Sequence, residues 1–277
     1  MEETGKNPIQ VAERLFQVIE RLAENGPMGI MDLSAELGFH KSTTHRLVTS
    51  LQYMGYIRQD EESLKYALSL KFLEIGSKIL EQTNMASLIH PSLKKLSEQT
   101  GETVHLVRRE GTEAVYIDKV ESTVSSIRMV SRVGSRIPLY CSGVGKALLA
   151  ELPDPEIEDI WNSSEITSLT PYTVTSLSDL MDRIRGVREA GYAMDDEENE
   201  EGVRCIAVSI PDYHKEPVYA LSISAPVSRM TDARIAELAV DVLAFKKELE
   251  KTMEKEDLEE PALKEEAIRQ ILEEFLA

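Results

Sequence analysis

Short hydroxyl and basic side chains recur at helical spacing in the stretch "KSTTHRLVTS". Wound as a helix, this stretch places several of them on one face, because residues three or four positions apart are neighbours. A helix that enters the major groove of DNA needs such short donors and acceptors for base edges, together with Lys or Arg for phosphates. Lys41 stands at the start of the helix, where backbone amides also favour phosphate. The predicted base-reading residues are Ser42, Thr43, Arg46, Thr49 and Ser50.

The same region lacks acids in a very acidic chain. The formal net charge is −18, yet no Asp or Glu occurs from Phe39 to Gln59. A carboxylate in this window would face phosphate, and Arg58 beside a predicted hairpin would contact the DNA backbone. Acidic residues elsewhere in the chain do not exclude DNA binding. At physiological salt their charge is screened beyond the Debye length of about 8 Å. Two alternatives remain open here: an ordinary solvated helix, or a helix-turn-helix that binds protein.

A second set of candidate residues lies on two late strands, "VRCIAVSI" and "YALSISA". Because side chains alternate between the two faces of a strand, each strand has one bulky apolar face and one small face. The small faces carry Val203, Cys205, Ser222 and Ser224, which leave space and offer donors for a small ligand. The alternative is that small residues simply admit a closely packed helix and that the serines bond to backbone.

The stretch "CSGVGKALLA" places small residues in front of a predicted helix. The free amides at such a helix start, at Gly143 and Val144, suit a carboxylate. The stretch is not a nucleotide-binding P-loop, because Ala147 follows Lys146 where Ser or Thr is required. The alternative is a plain helix start whose glycines serve close packing.

Three helices and a hairpin are predicted to position the DNA-reading residues. The first helix covers 8–25, the second is capped by Asp32, and the third runs from Lys41 to Leu51. The segments "YIRQ" and "LKYAL" then flank a polar turn and predict a hairpin. This order is that of a winged helix-turn-helix.

The second half of the chain mixes strands and helices. A helix over 70–84 leads to a further helix and to predicted strands at "TVHLVRRE", "AVYIDKV" and "SIRMVSRV". "VGKALLAEL" is predicted to be helical, as is a segment capped by Ser176 that ends at Gly191. Helices are also predicted over 231–255 and 261–275. The mixture indicates an α+β fold.

Three motifs resemble the IclR family of bacterial transcription regulators. They are "STTHRLVTSLQYMGYIRQD", "GSRIPLYCSGVGKALLA" and "GYAMDDEENEEGVRCIAVSI" followed by "ALSISAP". The resemblance covers about residues 8–250. It implies a winged helix-turn-helix domain (6–69), a linker helix (70–86), an effector-binding domain related to the GAF and profilin-like folds (87–250), and a dimer or dimer of dimers. The acidic segment 251–277 exceeds the family pattern and is expected to be solvated.

The resemblance also assigns an effector cavity. In IclR-like proteins the positions matching Asp195, Val203, Cys205, Ser222 and Ser224 line that cavity, and the match adds Gly143 and Val144. Amides that take a carboxylate, hydroxyls that take oxygen, and an apolar wall from Ile127 or Met129 suit a short oxo- or hydroxy-acid. A keto-deoxy sugar acid is one example, and a small aromatic acid is an alternative. The expected function is ligand-controlled regulation of a catabolic operon through operator DNA.

Other classes of function have weaker support. No run of 18 apolar residues predicts a membrane span, and no secretion signal is seen. Two cysteines fit a reducing cytoplasm. No cofactor, metal site or catalytic residue is expected, and the acids of 195–201 are interpreted as a solvated turn. Two rivals remain: an enzyme using Cys205 with a histidine, and a sensory adaptor that binds protein.

Overall fold

The computed structural model describes residues 7–82, 84–122, 131–212 and 216–249. The chain divides into two compact units, the first ending at Thr83 and the second beginning at Asn84. Among the described helices, none is long and apolar enough to cross a membrane.

The first unit is a winged helix-turn-helix. Its described elements are α1 (Gln10–Asn25), α2 (Ile30–Leu37), α3 (Lys41–Tyr53), β1 (Ile57–Gln59), β2 (Tyr66–Leu68) and α4 (Lys71–Gln82). Strands β1 and β2 pair antiparallel and form the predicted hairpin. The inner face of α3 is buried as its pattern predicts, at Thr44, Leu47, Val48 and Leu51. Of these, Leu47, Val48 and Leu51 share a core with apolar residues of α1, α2 and the hairpin.

Glycines end the first two helices. Gly26, with φ of 72°, follows α1, and Gly38, in the left-handed conformation, follows α2. The predicted cap at Asp32 is wrong, because α2 begins at Ile30 after an extended Gly29. Asp32 instead lies in the first turn, where a carboxylate interacts favourably with the helix dipole.

The second unit is an α+β domain built on one antiparallel sheet. Its described elements are α5 (Asn84–Thr100), β3 (Thr103–Glu110), β4 (Glu113–Val120), β5 (Arg136–Pro138), α6 (Gly143–Ala150), α7 (Asp154–Ser163), α8 (Leu177–Ala190), β6 (Ala193–Asp196), β7 (Val203–Ile210), β8 (Tyr219–Pro226) and α9, which is helical over 232–249. The six strands lie in the order β5-β4-β3-β8-β7-β6.

The two faces of the sheet differ as the alternation predicts. Bulky residues of β7 and β8, among them Ile206, Val208, Leu221 and Ile223, pack with apolar side chains of α5 and α9. The opposite face carries small residues, and α6 packs on its alanines. Helices therefore cover both faces, and the polar residues of the small face lie inside the domain.

Some elements differ from the sequence prediction. The strand expected at "SIRMVSRV" lies mostly outside the described residues, and its described part, 131–133, is not a strand. Strands β5 and β6 and helix α7 were not predicted. The two strands have three and four residues, too few to show an alternation. The predicted helix over 261–275 lies outside the described residues.

Helix α6 approaches the preceding chain so closely that only glycine fits at position 145. A Cβ atom at Gly145 would lie 2.1 Å from the carbonyl oxygen of Leu139. The added Cβ would meet only backbone atoms of Leu139 at this distance, so no flexible side chain could move away to relieve the clash. The alternative drawn from the sequence, that the glycines before and in this helix serve close packing, is therefore correct for Gly145.

We expect Gly145→Ala to destabilise the second unit. Overpacking a buried site costs about 1–3 kcal/mol, and here the clash involves backbone atoms. Gly186→Ala is the matched control, since Gly186 lies in α8 with no atom within 4 Å of its Cβ position. That change should stabilise the helix by about 0.5–1 kcal/mol. Urea denaturation of both variants measures the difference, and equal midpoints would contradict the assigned contact.

Candidate functional site

Helix α3 presents the predicted DNA-reading residues on its outer face. The side chains of Lys41, Ser42, Arg46, Thr49 and Ser50 are exposed, and Thr43 is half-buried. Arg58 is exposed on β1, beside the end of the same helix. The fold thus brings every predicted DNA-contact residue of α3 to one solvent-facing surface.

Most of the positive charge of this surface is not neutralised within the described part of the first unit. Lys41 and Arg46 form no ion pair there, whereas the charge of Arg58 acts on the Asp60 carboxylate. Asp60, the first acid after the window, accepts hydrogen bonds from the Ser63 amide at 2.8 Å and the Ser63 hydroxyl at 2.6 Å. These bonds lower the pKa of Asp60 and hold its carboxylate in the turn. The surface therefore keeps basic groups available to phosphate.

In the second unit, four polar residues form one row across the small face. Asp195 on β6 pairs with Cys205 on β7, Cys205 pairs with Ser224 on β8, and Ser224 pairs with Thr103 on β3. Paired residues on neighbouring antiparallel strands point to the same side of a sheet. The register thus places Asp195, Cys205 and Ser224 side by side, as a shared site requires.

The next row contains a residue that sequence reasoning missed. Ser222 pairs with Ala207 on one side and with His105 on the other. The Nδ1 atom of His105 lies 3.4 Å from the hydroxyl oxygens of both Ser222 and Ser224. Alternation within "TVHLVRRE" could have found it, because His105 falls two residues from Thr103 on the same strand face.

Cys205 is more exposed than its neighbours in the row. Asp195, Ser222 and Ser224 are buried, whereas Cys205 is partly exposed although it lies in a strand paired on both sides. Tyr116 of β4 packs edge-on against the His105 ring, with centroids 5.2 Å apart. Burial raises the pKa of Tyr116, with Cys205 and Asp195 adding to the effect. Tyr116 is thus a second residue of this region that was not predicted.

The start of α6 lies against the same row. Ser142 caps the helix by accepting a hydrogen bond from the Gly145 amide at 3.1 Å. Within the described residues, the amides of Gly143 and Val144 have no acceptor, as expected of a helix start. A Cβ at Gly143 would lie 3.4 Å from the Asp195 nitrogen, so the helix start adjoins Asp195. The Val144 side chain packs in the core, which leaves only its amide for a ligand.

A buried ion pair fixes this arrangement. The Lys146 ammonium of α6 contacts Glu198 in the turn after β6, and each side chain is 2% exposed. Asp195 accepts hydrogen bonds from the amides of Glu198 at 2.8 Å and Asn199 at 3.3 Å. The interpretation of residues 195–201 as a solvated turn is therefore wrong, because two of its acids are buried and bonded.

Burial raises the pKa of Asp195 to about 7. The positive charge of Lys146 opposes this shift, the negative charge of Glu198 adds to it, and the two amide hydrogen bonds oppose it. Asp195 can consequently present a neutral carboxyl or a carboxylate near neutral pH. The group can therefore either donate or accept a hydrogen bond toward a ligand.

The remaining predicted residues have different outcomes. Val203 begins β7 on the face of Cys205, and it is half-buried. Ile127 and Met129 lie outside the described residues. Burial raises the thiol pKa of Cys141 and of Cys205, which leaves both as poor nucleophiles at neutral pH. The described residues contain no cluster of His, Cys, Asp and Glu that could hold a metal ion.

The raised pKa of Asp195 predicts a pH-dependent stability. In the unfolded chain the carboxyl ionises near its ordinary value of 3.8, while the folded protein retains the proton to about pH 7. The contribution of Asp195 to stability should therefore fall as pH rises between these values, by at most about 1.4 kcal/mol per unit. Asp195→Asn cannot ionise but keeps the oxygen that accepts from the Glu198 amide. Its stability relative to the wild type should rise from pH 5 to 7 and then level off.

Denaturant unfolding at several pH values measures this difference. The control is Asp182→Asn on the exposed surface of α8, which removes a carboxylate away from the row. A constant difference between Asp195→Asn and the wild type from pH 5 to 8 would show that the Asp195 carboxyl is already ionised in the folded protein.

Comparisons with known proteins agree with both units. A family model described as Bacterial transcriptional regulator IclR C-terminal matches residues 77–250, and one described as IclR helix-turn-helix domain matches 11–61. The chain is 37% identical over 244 residues to the acetate operon repressor of Salmonella typhimurium, covering 87% of this chain and 89% of that protein. It is also 37% identical over 234 residues to the Escherichia coli regulator KdgR, covering 84% and 89%.

A solved structure supports the same conclusion. The crystal structure of Thermotoga maritima IclR matches with a TM-score of 0.75 and 31% identity, covering 88% of this chain and 98% of that one. The predicted fold class, a helix-turn-helix domain followed by an α+β domain, is confirmed. The chain belongs to the IclR family of bacterial DNA-binding transcription regulators.

Proposed function

We propose that the protein represses a catabolic operon by binding an operator through α3, and that a small oxo- or hydroxy-carboxylic acid controls this binding. The exposed, acid-free face of α3 carries the DNA part of the proposal. Repression is supported by relatives whose names describe repressors, such as the acetate operon repressor. An operator partner also implies a cytoplasmic location.

A dimer is the proposed DNA-binding form, because paired half-sites require a two-fold arrangement of reading helices. Large apolar side chains are exposed in the first unit at Ile9, Val11, Phe16, Leu70 and Leu73. Exposed apolar side chains of this size commonly mark contact surfaces. We assign them to a second copy of the chain, which would bury them around a two-fold axis.

Arg46→Ala and Thr43→Ala should weaken operator binding without changing stability. Each lost base contact should cost about 1–3 kcal/mol, a loss of roughly tenfold to a hundredfold in affinity. Operators are first selected from random DNA by the wild-type protein, and affinities are then measured by fluorescence anisotropy at several salt concentrations. Two inverted half-sites are expected in the selected sequences.

Lys78→Ala is the control for these variants, because Lys78 is an exposed basic residue of α4 that pairs with Glu74 instead of lying on α3. It should bind the operator like the wild type. Wild-type affinity in both α3 variants would reject the assigned reading face. A chain that selects no DNA at all would favour the adaptor alternative.

The proposed effector site includes the N-terminus of α6. The amides of Gly143 and Val144 are the proposed partners of the effector carboxylate, since helix starts favour anions. The row of Asp195, Cys205 and Ser224 adjoins them and would bind the other end of a short acid. Partial exposure of Cys205 supports the presence of space for such a molecule.

The enzyme alternative has less support from the same residues. A nucleophilic cysteine needs a lowered pKa and a base, whereas burial raises the pKa of the Cys205 thiol. His105, on the neighbouring strand beyond Ser224, contacts the serines through Nδ1. We therefore assign Cys205 to the wall of a binding site and propose no catalytic role.

Ser222→Ala should weaken effector binding about tenfold to a hundredfold, because it leaves a ligand oxygen without its hydroxyl partner. Operator affinity without effector should stay unchanged, and more effector should be needed for the same shift in DNA binding. Calorimetry with a panel of short oxo- and hydroxy-acids measures this. Ser228→Ala, an exposed serine just beyond β8, is the control. Equal affinities for Ser222→Ala and wild type would assign the small strand face to packing alone.

A further inference from the structure

A cavity of about 300 Å³ lies at the free edge of the sheet, between β6 and α8. Met194 and Asp196 of β6 line one side, and Gly186, Val187 and Ala190 of α8 line the other. A Cβ at Gly186 would meet no atom within 4 Å, so the small residues of α8 leave this space open. The volume lies at the lower end of the range for small-ligand sites, about 300–1,000 Å³. The cavity is therefore large enough for a small metabolite.

This cavity is separate from the row of polar residues on the small face. Side chains alternate along a strand, so Met194 and Asp196 point away from the face that carries Asp195. The buried ion pair of Lys146 and Glu198 forms the inner wall of the cavity, and Asp195 does not line it. A ligand in this cavity would therefore contact neither Asp195 nor the serines of β8.

The outer edge of β6 offers backbone groups to such a ligand. Strand β6 is the last of the sheet and pairs on one side only, with β7. The Glu197 amide donates to the Val203 carbonyl oxygen at 3.1 Å. Because a strand directs its backbone hydrogen bonds to alternate sides, the amide and carbonyl groups of Met194 and Asp196 point away from β7. An extended ligand can pair with this edge as an added strand does.

Two charged side chains of the cavity have bonding capacity left over. The Oε1 atom of Glu198 contacts the Lys146 ammonium, whereas Oε2, which is also buried, accepts no hydrogen bond from the described residues. Arg183 of α8 lines the cavity and forms no ion pair within the described part of the chain. The other acids of the cavity already have arginine partners: Asp182 pairs with Arg185, and Asp196 pairs with Arg204. The cavity therefore offers one buried acceptor and one free guanidinium.

We propose that this cavity binds a free α-amino acid with an apolar side chain. An unsatisfied buried carboxylate oxygen requires a donor, and the ligand ammonium would supply it to Glu198. The ligand carboxylate would pair with Arg183 and accept from the outward amide of Met194. Its side chain would pack on Val187 and Tyr192, which also line the cavity. The proposal does not depend on the effector site, since it uses none of the residues in that row.

A zwitterion fits this site better than a molecule with one charge. A simple amine would leave Arg183 without a partner, and a simple carboxylic acid would leave the Glu198 oxygen without a donor. An α-amino acid also carries its two charged groups on either side of one carbon atom, in the order that a strand residue presents its backbone nitrogen and carbonyl. It can therefore satisfy both charges while it lies along the edge of β6.

Calorimetry with the full-length protein tests the ligand class. Of L-valine, L-leucine, L-methionine and L-phenylalanine, at least one should bind, and it is then compared with two analogues: the amine that lacks its carboxylate and the acid that lacks its ammonium. Each analogue should bind roughly tenfold to a hundredfold more weakly, because one charged group of the site loses its partner. A wild type that binds none of the four amino acids, or an analogue that binds as tightly as the amino acid, would overturn the proposal.

Variants of α8 test the location without disturbing the buried ion pair. Gly186→Leu fills the cavity from an exposed helix position, and Arg183→Gln removes the guanidinium; each should weaken amino-acid binding by roughly tenfold or more. Arg185→Gln, on the same helix but outside the cavity, should bind like the wild type. Unchanged affinity in Arg183→Gln or in Gly186→Leu, shown by thermal melting to be folded, would reject the site.

Ser222→Ala separates this inference from the proposed effector site. It should bind the amino acid like the wild type, and Gly186→Leu should bind the short oxo- and hydroxy-acids like the wild type. Loss of amino-acid binding in Ser222→Ala would place that ligand in the effector row and overturn the inference. Failure of every oxo- and hydroxy-acid to bind would reject the effector proposal alone, because the amino-acid titrations use a different set of residues.

Discussion

The buried ion pair between Lys146 and Glu198 is the constraint on which the geometry of the second unit depends. It joins α6 to the turn after β6, and each side chain is 2% exposed. A buried charge is tolerated only with a partner, so loss of either group would leave the other uncompensated. The turn held in this way supplies two amides to Asp195 and keeps Asp195 beside the start of α6. The ion pair therefore holds the turn that carries Glu198, and with it the Asp195 carboxyl, beside the amides at the start of α6.

Sequence patterning predicted the elements whose side chains follow a strict period. Strands β3 and β7 have the predicted bounds, and α8 has its predicted serine cap and glycine end. The outer face of α3 was also predictable, because its polar residues repeat with the period of a helix. Such segments bury one face in a uniform layer, so local pattern and tertiary packing agree.

Other features depend on contacts that a single sequence does not display. Glu198 lies in a run of acids that has the composition of a solvated loop. Its burial is explained by its contact with the ammonium of Lys146, which lies 52 residues earlier in the chain. Alternation places His105 on the strand face of Thr103, but its contact with Ser222 and Ser224 depends on the pairing of β3 with β8. Strand β6 has four residues and is defined by its partner β7. Pairing across long sequence separations determines these parts of the site.

The contrast between an acidic chain and one acid-free helix face has a kinetic consequence for target search. With a net charge of −18, the acidic surface outside α3 repels DNA wherever it comes within about 8 Å of the duplex, the Debye length at physiological salt. Attraction begins only when the basic face of α3 is turned toward the duplex, so most collisions in other orientations separate at once. Such a protein spends little time on non-specific DNA, and more of its search takes place by three-dimensional diffusion than by sliding. A small number of molecules then stays available to a single operator instead of being held along the chromosome.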